Sequence, residues 1–231
     1  SRMLTHLFGD LEFVKTLNTN NSFSASLSYL TFGESLMPLH NTSTDYGTIA
    51  KWFHWGTALL FLAAYCSVYY RHWFTERGTP ENFTALQLHL SVGISIGVII
   101  ILRIIWRLKN QQPKLEPASK LSHLAAHAGH FALYSIMIIT PLTGYLGTGV
   151  DTEYFFLFNI PKFEDTYIFQ NWIHNGLGIS FEAFEKPIDF IHKEILGKWL
   201  VWILIAGHAG AALYHHYVKK DRTLIKMTSS K

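Results

Sequence analysis

The sequence predicts an all-α membrane protein, a bundle of four transmembrane helices with an N-terminal extension and a long loop between the third and fourth helices. Three observations carry that prediction. Four apolar runs are each about one bilayer long, since ~20 residues at ~1.5 Å per residue cross a ~30 Å hydrocarbon core. Charged residues make up only 15% of the chain and aromatics another 15%, a balance suited to lipid rather than water. Trp and Tyr gather at the ends of the runs (Trp52, Trp55, Tyr69, Tyr70, Trp106, Tyr217), where interfacial belts form.

Residues 1–48 read as a peripheral N-terminal arm. Leu7, Leu11, Phe13 and Leu17 suggest a short amphipathic helix, and Asn18–Ser28 reads as loop. Ser1–Leu36 is polar and lacks the apolar stretch of a cleavable signal. The first apolar run is Ile49–Tyr70, the second Leu86–Leu108, and the third Leu124–Thr148, where Pro141 predicts a kink that a bundle tolerates. The fourth is Leu196–Tyr217, with His192 at its mouth. None has the polar stripe of a surface helix. Gly93, Gly97, Gly207 and Gly210 permit close helix contacts. The domain reading is therefore an arm over 1–48, a transmembrane bundle over 49–218 with a loop insertion at about 150–195, and a basic tail over 219–231. The connection Val150–Ile195 holds aromatic-rich segments (YFFLFNIP, NWIHNGLG, FEAFEKPIDFIHK) that read as a cap over one bundle end, with a binding surface as the lesser alternative.

Four crossings place both termini on one side, the A side. It carries 13 basic and 6 acidic residues against 6 and 10 on the B side, for nets of +7 and −4. The positive-inside rule then puts the A side in the cytoplasm, or in the matrix of a mitochondrion. The total of +3 is too small to imply a nucleic-acid partner. The single cysteine, Cys66, excludes an internal disulfide, a cysteine zinc site and a C-x-x-C-H attachment for covalent haem.

Thirteen histidines are many for so apolar a chain. Four of them sort by depth. His54 lies near the A side of the first helix and His208 near the A-side exit of the fourth. His89 and His192 lie near the B side of the second and fourth. Any one of these alone reads as a polar residue at a helix end. Together they form an upper and a lower pair, and two b-type haems, each with two axial histidines, satisfy all four. Two such ligands leave no open iron position, which favours electron transfer over oxygen binding. Arg103 and Arg107 could pair with haem propionates or anchor the helix end. His123, His127 and His130 serve a propionate or packing. His215 and His216 read as interfacial, and His6, His40, His72 and His174 as surface residues.

From MPLHNTSTDYGTIAKWFHW, starting at Met37, to HAGAALYHHYVKKDRTLIKM, ending at Met227, the chain resembles the bacterial-type cytochrome b561 family, which includes superoxide oxidases. LQLHLSVGIS and HAGH, which opens the third helix, belong to the match, and the C-terminal HAGAALYHHYVKKD is its most specific part. The resemblance implies two haem b groups on His54, His89, His192 and His208, ubiquinone as electron acceptor, and superoxide as donor. Three departures stand out. Residues 1–36 precede the usual start, and about 166–184 reads as an insertion. The family's two fourth-helix histidines are about 14 residues apart, which at ~100° per residue returns to nearly one helix face. The 16 residues from His192 to His208 overshoot by ~160°, so a π-bulge, an irregular first turn or a start beyond His192 is required. His174 is the alternative ligand.

These readings imply a quinone-reducing oxidoreductase of the bacterial or mitochondrial inner membrane, in contact with lipid and quinone. The alternative is an electron-carrying or accessory subunit of a larger respiratory complex, docked through residues 1–36 and the loop at about 166–184.

Overall fold

In the computed structural model, residues 29–32 and 35–229 are described; the arm readings at Leu7–Leu17 and Asn18–Ser28 fall outside them. β1 (Tyr29–Phe32) pairs antiparallel with β2 (Ser35–Pro38) ahead of the first helix. Three long helices follow: α1 (Thr48–Phe74), α2 (Pro80–Lys109) and α3 (Lys120–Leu146). α1 starts one residue before its apolar stretch, while α2 and α3 start six and four residues before theirs, because their caps lie in the polar flanks. Thr79 accepts from the Asn82 amide ahead of Pro80, which lacks the N–H that a first-turn residue cannot use. Ser119 accepts from the Ser122 amide in the same way. Pro141 sits inside α3 without ending it.

After α3 come β3 (Thr152–Tyr154) and β4 (Phe158–Ile160), a two-stranded hairpin, then a 3₁₀ turn (Phe163–Asp165), a π-helical segment (Ile168–His174) and the short α4 (Asn175–Leu177). The fourth long helix departs from expectation. It begins at Phe181, capped by Ser180, and is continuous to Lys219. Within it α5 (Phe181–Phe190) and α6 (Val201–Tyr214) flank a π-helical stretch at Ile191–Leu200, and a second follows at His215–Lys219. FEAFEKPIDFIHK is therefore the first turns of a helix and not part of a cap, and the connection ends at Ser180. Pro187 interrupts the backbone ladder just before the π stretch, as a residue without an N–H must.

Alpha2, α3 and the Phe181–Lys219 helix are long and apolar enough to cross a membrane. α1 is 27 residues long and richer in Trp and Tyr than the other three. The core is a thin seam of Phe61, Val92, Ile96, Ile100, Ile136, Met137, Leu196 and Val201, contributed by all four helices. Outward positions such as Leu59, Val98, Ile101, Phe131 and Ile203 are exposed. An aqueous protein would bury such a surface; acyl chains cover it without cost.

At the A end the basic tail folds back onto the bundle. Lys226 pairs with Glu116 at 2.5 Å and donates to the Lys114 carbonyl at 2.9 Å. Arg222 pairs with Asp45 at 2.8 Å, the Trp55 indole donates to the Met227 carbonyl, and Lys51 donates to the Ser229 carbonyl. α7 (Ile225–Thr228) is the helical turn within this clasp.

Candidate functional site

The bundle brings the depth-sorted histidines together across helices. His54 of α1 and His208 of α6 have ring centroids 6.0 Å apart. His89 of α2 and His192 of the π stretch are 6.3 Å apart. The phase problem at His192 is solved by the π-helical turns: a hydrogen bond that spans one more residue absorbs extra residues without extra rotation. His192 lies well inside the helix and not at its mouth. His174 is in the connecting segment, exposed, stacked on Phe169 and facing the carbonyl of Ile179, away from both pairs.

The ring nitrogens of the B-side pair are oriented by backbone. His89 Nδ1 lies 3.0 Å from the Ala64 carbonyl and 3.2 Å from Ser67 Oγ. His192 Nδ1 lies 3.0 Å from the Thr140 carbonyl and 3.2 Å from Thr143 Oγ1. A carbonyl only accepts, so Nδ1 carries the proton and Nε2 is left with its lone pair, the tautomer a metal ligand needs. Gly144 makes this approach possible. A Cβ there would sit 3.0 Å from His192 Cε1, tighter than most real contacts, so the ring would have to shift. The Thr140 carbonyl points at His192 from the residue before Pro141; the sequence signal was the TPLTG run, which read only as a kink.

A cavity of about 730 Å³ opens against this pair. That is within the ~300–1,000 Å³ range of sites that enclose a small organic ligand. Its wall includes Gly93, Gly144 and Gly197, and its outer part Arg71, His72, Arg77 and Lys193 with Glu185 and Asp189. Arg71 is aimed by Asn82, whose carbonyl accepts from Arg71 Nε at 3.1 Å and whose amide reaches Thr75 Oγ1 at 2.9 Å.

The A-side pair has a different setting. Arg103 Nη2 lies 3.1 Å from His54 Nδ1 and donates to it, and the Arg103 and Arg107 guanidinium groups both lie 5.5 Å from the Tyr134 ring centre. His130 of α3 also approaches His208, with ring centroids 5.9 Å apart. His123 and His127 lie on the same helix and His72 lines the B-side cavity. His40 stacks on Trp106 at 5.1 Å, and His215 Nδ1 lies 2.5 Å from Asp221 Oδ2.

A family profile described as prokaryotic cytochrome b561 matches residues 45–230, most of the chain. The chain belongs to the prokaryotic cytochrome b561 family. It is 28% identical over 205 residues to cytochrome b561 homolog 2 of Escherichia coli (strain K12), covering 83% of this chain and 95% of that one. Cytochrome b561 homolog 1 of the same organism is 29% identical over 178 residues, 75% of this chain and 91% of its own. A protein named probable superoxide oxidase CybB, from Yersinia pestis, is 29% identical over 185 residues, 77% of this chain and 92% of its own. As a cytochrome b561 the protein is a membrane electron-transfer protein, and the cofactor of its family is haem b.

The donor set fits that group in spacing at both depths and in tautomer at the B-side pair, whereas His54 Nδ1 accepts from Arg103. Two imidazoles bound to opposite sides of one metal, with metal–nitrogen bonds of ~2 Å, hold their ring centres ~6 Å apart. Both pairs match this spacing, at 6.0 and 6.3 Å, and His130 lies at a similar 5.9 Å from His208. The B-side pair adds the correct tautomer and a glycine-lined cavity.

Proposed function

We propose that this cytochrome spans the membrane four times, holds two haem b groups, and passes electrons between its faces to ubiquinone, with superoxide as donor. The observation that carries the reading is the pair of imidazole separations at two depths. His89 and His192 hold one haem and His54 and His208 the other. Haem b held by these histidines would supply a one-electron couple, its potential tuned by the hydrogen bonds to them. The Ala64 and Thr140 carbonyls hold the B-side imidazoles in one orientation and raise their basicity. Arg103, beside His54, is placed to neutralise a propionate at the A-side site. The apolar seam of Ile96, Ile100 and Met137 keeps water out of the bundle interior.

Superoxide is an anion and the B side is net negative, so its attraction must be local. Arg71, His72 and Arg77 supply that local field around the cavity, while Lys193 is paired with Asp189. Two superoxide anions each lose one electron and become dioxygen; one ubiquinone takes both electrons and two protons. No side chain acts as acid or base toward superoxide. The charge asymmetry supports an orientation with both termini in the cytoplasm of a bacterial inner membrane.

The test uses purified protein in vesicles containing ubiquinone. Haem quantified against protein should give two b-type groups per chain, and a superoxide pulse should reduce them and yield ubiquinol. One haem per chain refutes the paired-site reading. Two haems that stay oxidised under superoxide retain the electron-carrier reading and remove the donor.

A further inference from the structure

The β3–β4 hairpin reaches down the outside of α2 at a depth where backbone is normally helical. Gln87 and Ser91 of α2, both without solvent exposure, form a polar ladder that receives it. Gln87 Nε2 donates to the Asp151 carbonyl at 3.0 Å and its Oε1 accepts from the Glu153 amide at 2.7 Å. Ser91 Oγ accepts from the Phe155 amide at 2.9 Å, and Ser95 Oγ meets the Tyr154 hydroxyl at 3.0 Å. The chain enters at the Gln87 level, turns at Phe155–Leu157 and leaves at Lys162, whose amide returns to Asp151 Oδ1 at 3.0 Å.

Depth follows from α2 itself. No charged side chain lies between Glu81 and Arg103. Arg71, the first cation reached along α1 after Lys51, meets α2 at Asn82, which marks the interface. Ser91 lies nine residues further in, or ~14 Å at ~1.5 Å per residue, about halfway through a ~30 Å core. At that level the turn displays Phe155, Phe156, Leu157 and Phe158, with exposures of 38%, 52%, 78% and 56%. Phe155 and Phe156 also have φ of +45° and +62°, a left-handed pair that hairpins normally fill with Asn and Gly. Strain retained at both positions marks the phenyl groups themselves as needed there.

We propose that this hairpin is a re-entrant element whose Phe155–Phe158 tip is immersed in the acyl chains of the lipid bilayer. Irregular backbone survives in lipid only where its polar groups find protein partners, and Gln87, Ser91 and Ser95 are those partners. On its inner side Thr152 lines the B-side cavity, so the same hairpin walls that cavity off from lipid. The proposal rests on α2 crossing the bilayer and is independent of the haem assignment.

The test is spin labelling of the full-length protein in phosphatidylcholine–phosphatidylglycerol vesicles, in a Cys66→Ser background. Labels go on Phe156→Cys and Leu157→Cys, with Val98→Cys on the lipid face of α2 and Glu182→Cys at the exposed start of α5 as references. The ratio of collisions with dissolved oxygen to collisions with a water-soluble nickel chelate should match the Val98 reference at both tip positions and exceed the Glu182 reference. A ratio like that at Glu182 places the tip in water and overturns the proposal. Exclusion of both reagents means a protein covers the tip and also overturns it. Leu157 lies outside the strained pair, so it decides alone if Phe156→Cys does not fold.

Discussion

Replacing Gln87 with Leu removes the two bonds that tie the hairpin to α2 while keeping nearly the same volume. The Asp151 carbonyl and the Glu153 amide then lose their partner at a position with no solvent exposure. An unsatisfied buried polar group costs ~1–3 kcal/mol, so the pair costs ~2–6 kcal/mol. With ~1.4 kcal/mol per factor of ten, opening of the hairpin becomes about 30-fold to 10⁴-fold more frequent. Hydrogen exchange of the Glu153 amide in vesicles reads this directly, because its protection reports local opening. The α2 amides around Ile96 and Ile100 serve as internal controls and should be unchanged. A change under about threefold at Glu153 would show that the hairpin is held by its apolar contacts and not by the polar ladder.

Other outcomes test the paired histidines and the tail. His89→Leu should remove one haem per chain and leave the other, read by haem-to-protein ratio; His208→Leu should do the converse, and loss of neither counts against the pairing. Gly144→Val should lower occupancy of the B-side site alone, since its Cβ begins 3.0 Å from the His192 ring. The Asp221 carboxyl is partly buried, which pushes its pKa up, but hydrogen bonds from His215 and Thr223 outweigh that and hold it below its ordinary value. A depressed acid stabilises the fold above its unfolded pKa of ~3.9 and loses that contribution as pH falls through the folded value. Limited proteolysis of the C-terminal clasp should therefore accelerate only below about pH 4, and Asp221→Asn should weaken that dependence, the Glu116 and Asp45 pairs keeping the rest.

The sequence by itself determined the solvent and the pattern. Apolar runs of bilayer length, aromatic belts and the depth of each histidine can be counted along one chain, because rise per residue is nearly constant in a helix. Tertiary structure decided what depends on rotation and on distant partners. Sixteen residues between His192 and His208 gave the wrong face for a regular helix, and only the π-helical turns after Pro187 reconcile it. The 15 residues before Leu196 looked like loop because Glu182, Glu185, Lys186 and Pro187 broke the apolar run, yet Ser180 starts a helix there. YFFLFNIP carried no sign of a hairpin turn, since its left-handed positions hold Phe and not Gly or Asn. Its partners Gln87, Ser91 and Ser95 lie more than 50 residues away in sequence, and such contacts are set by packing, which no local pattern records.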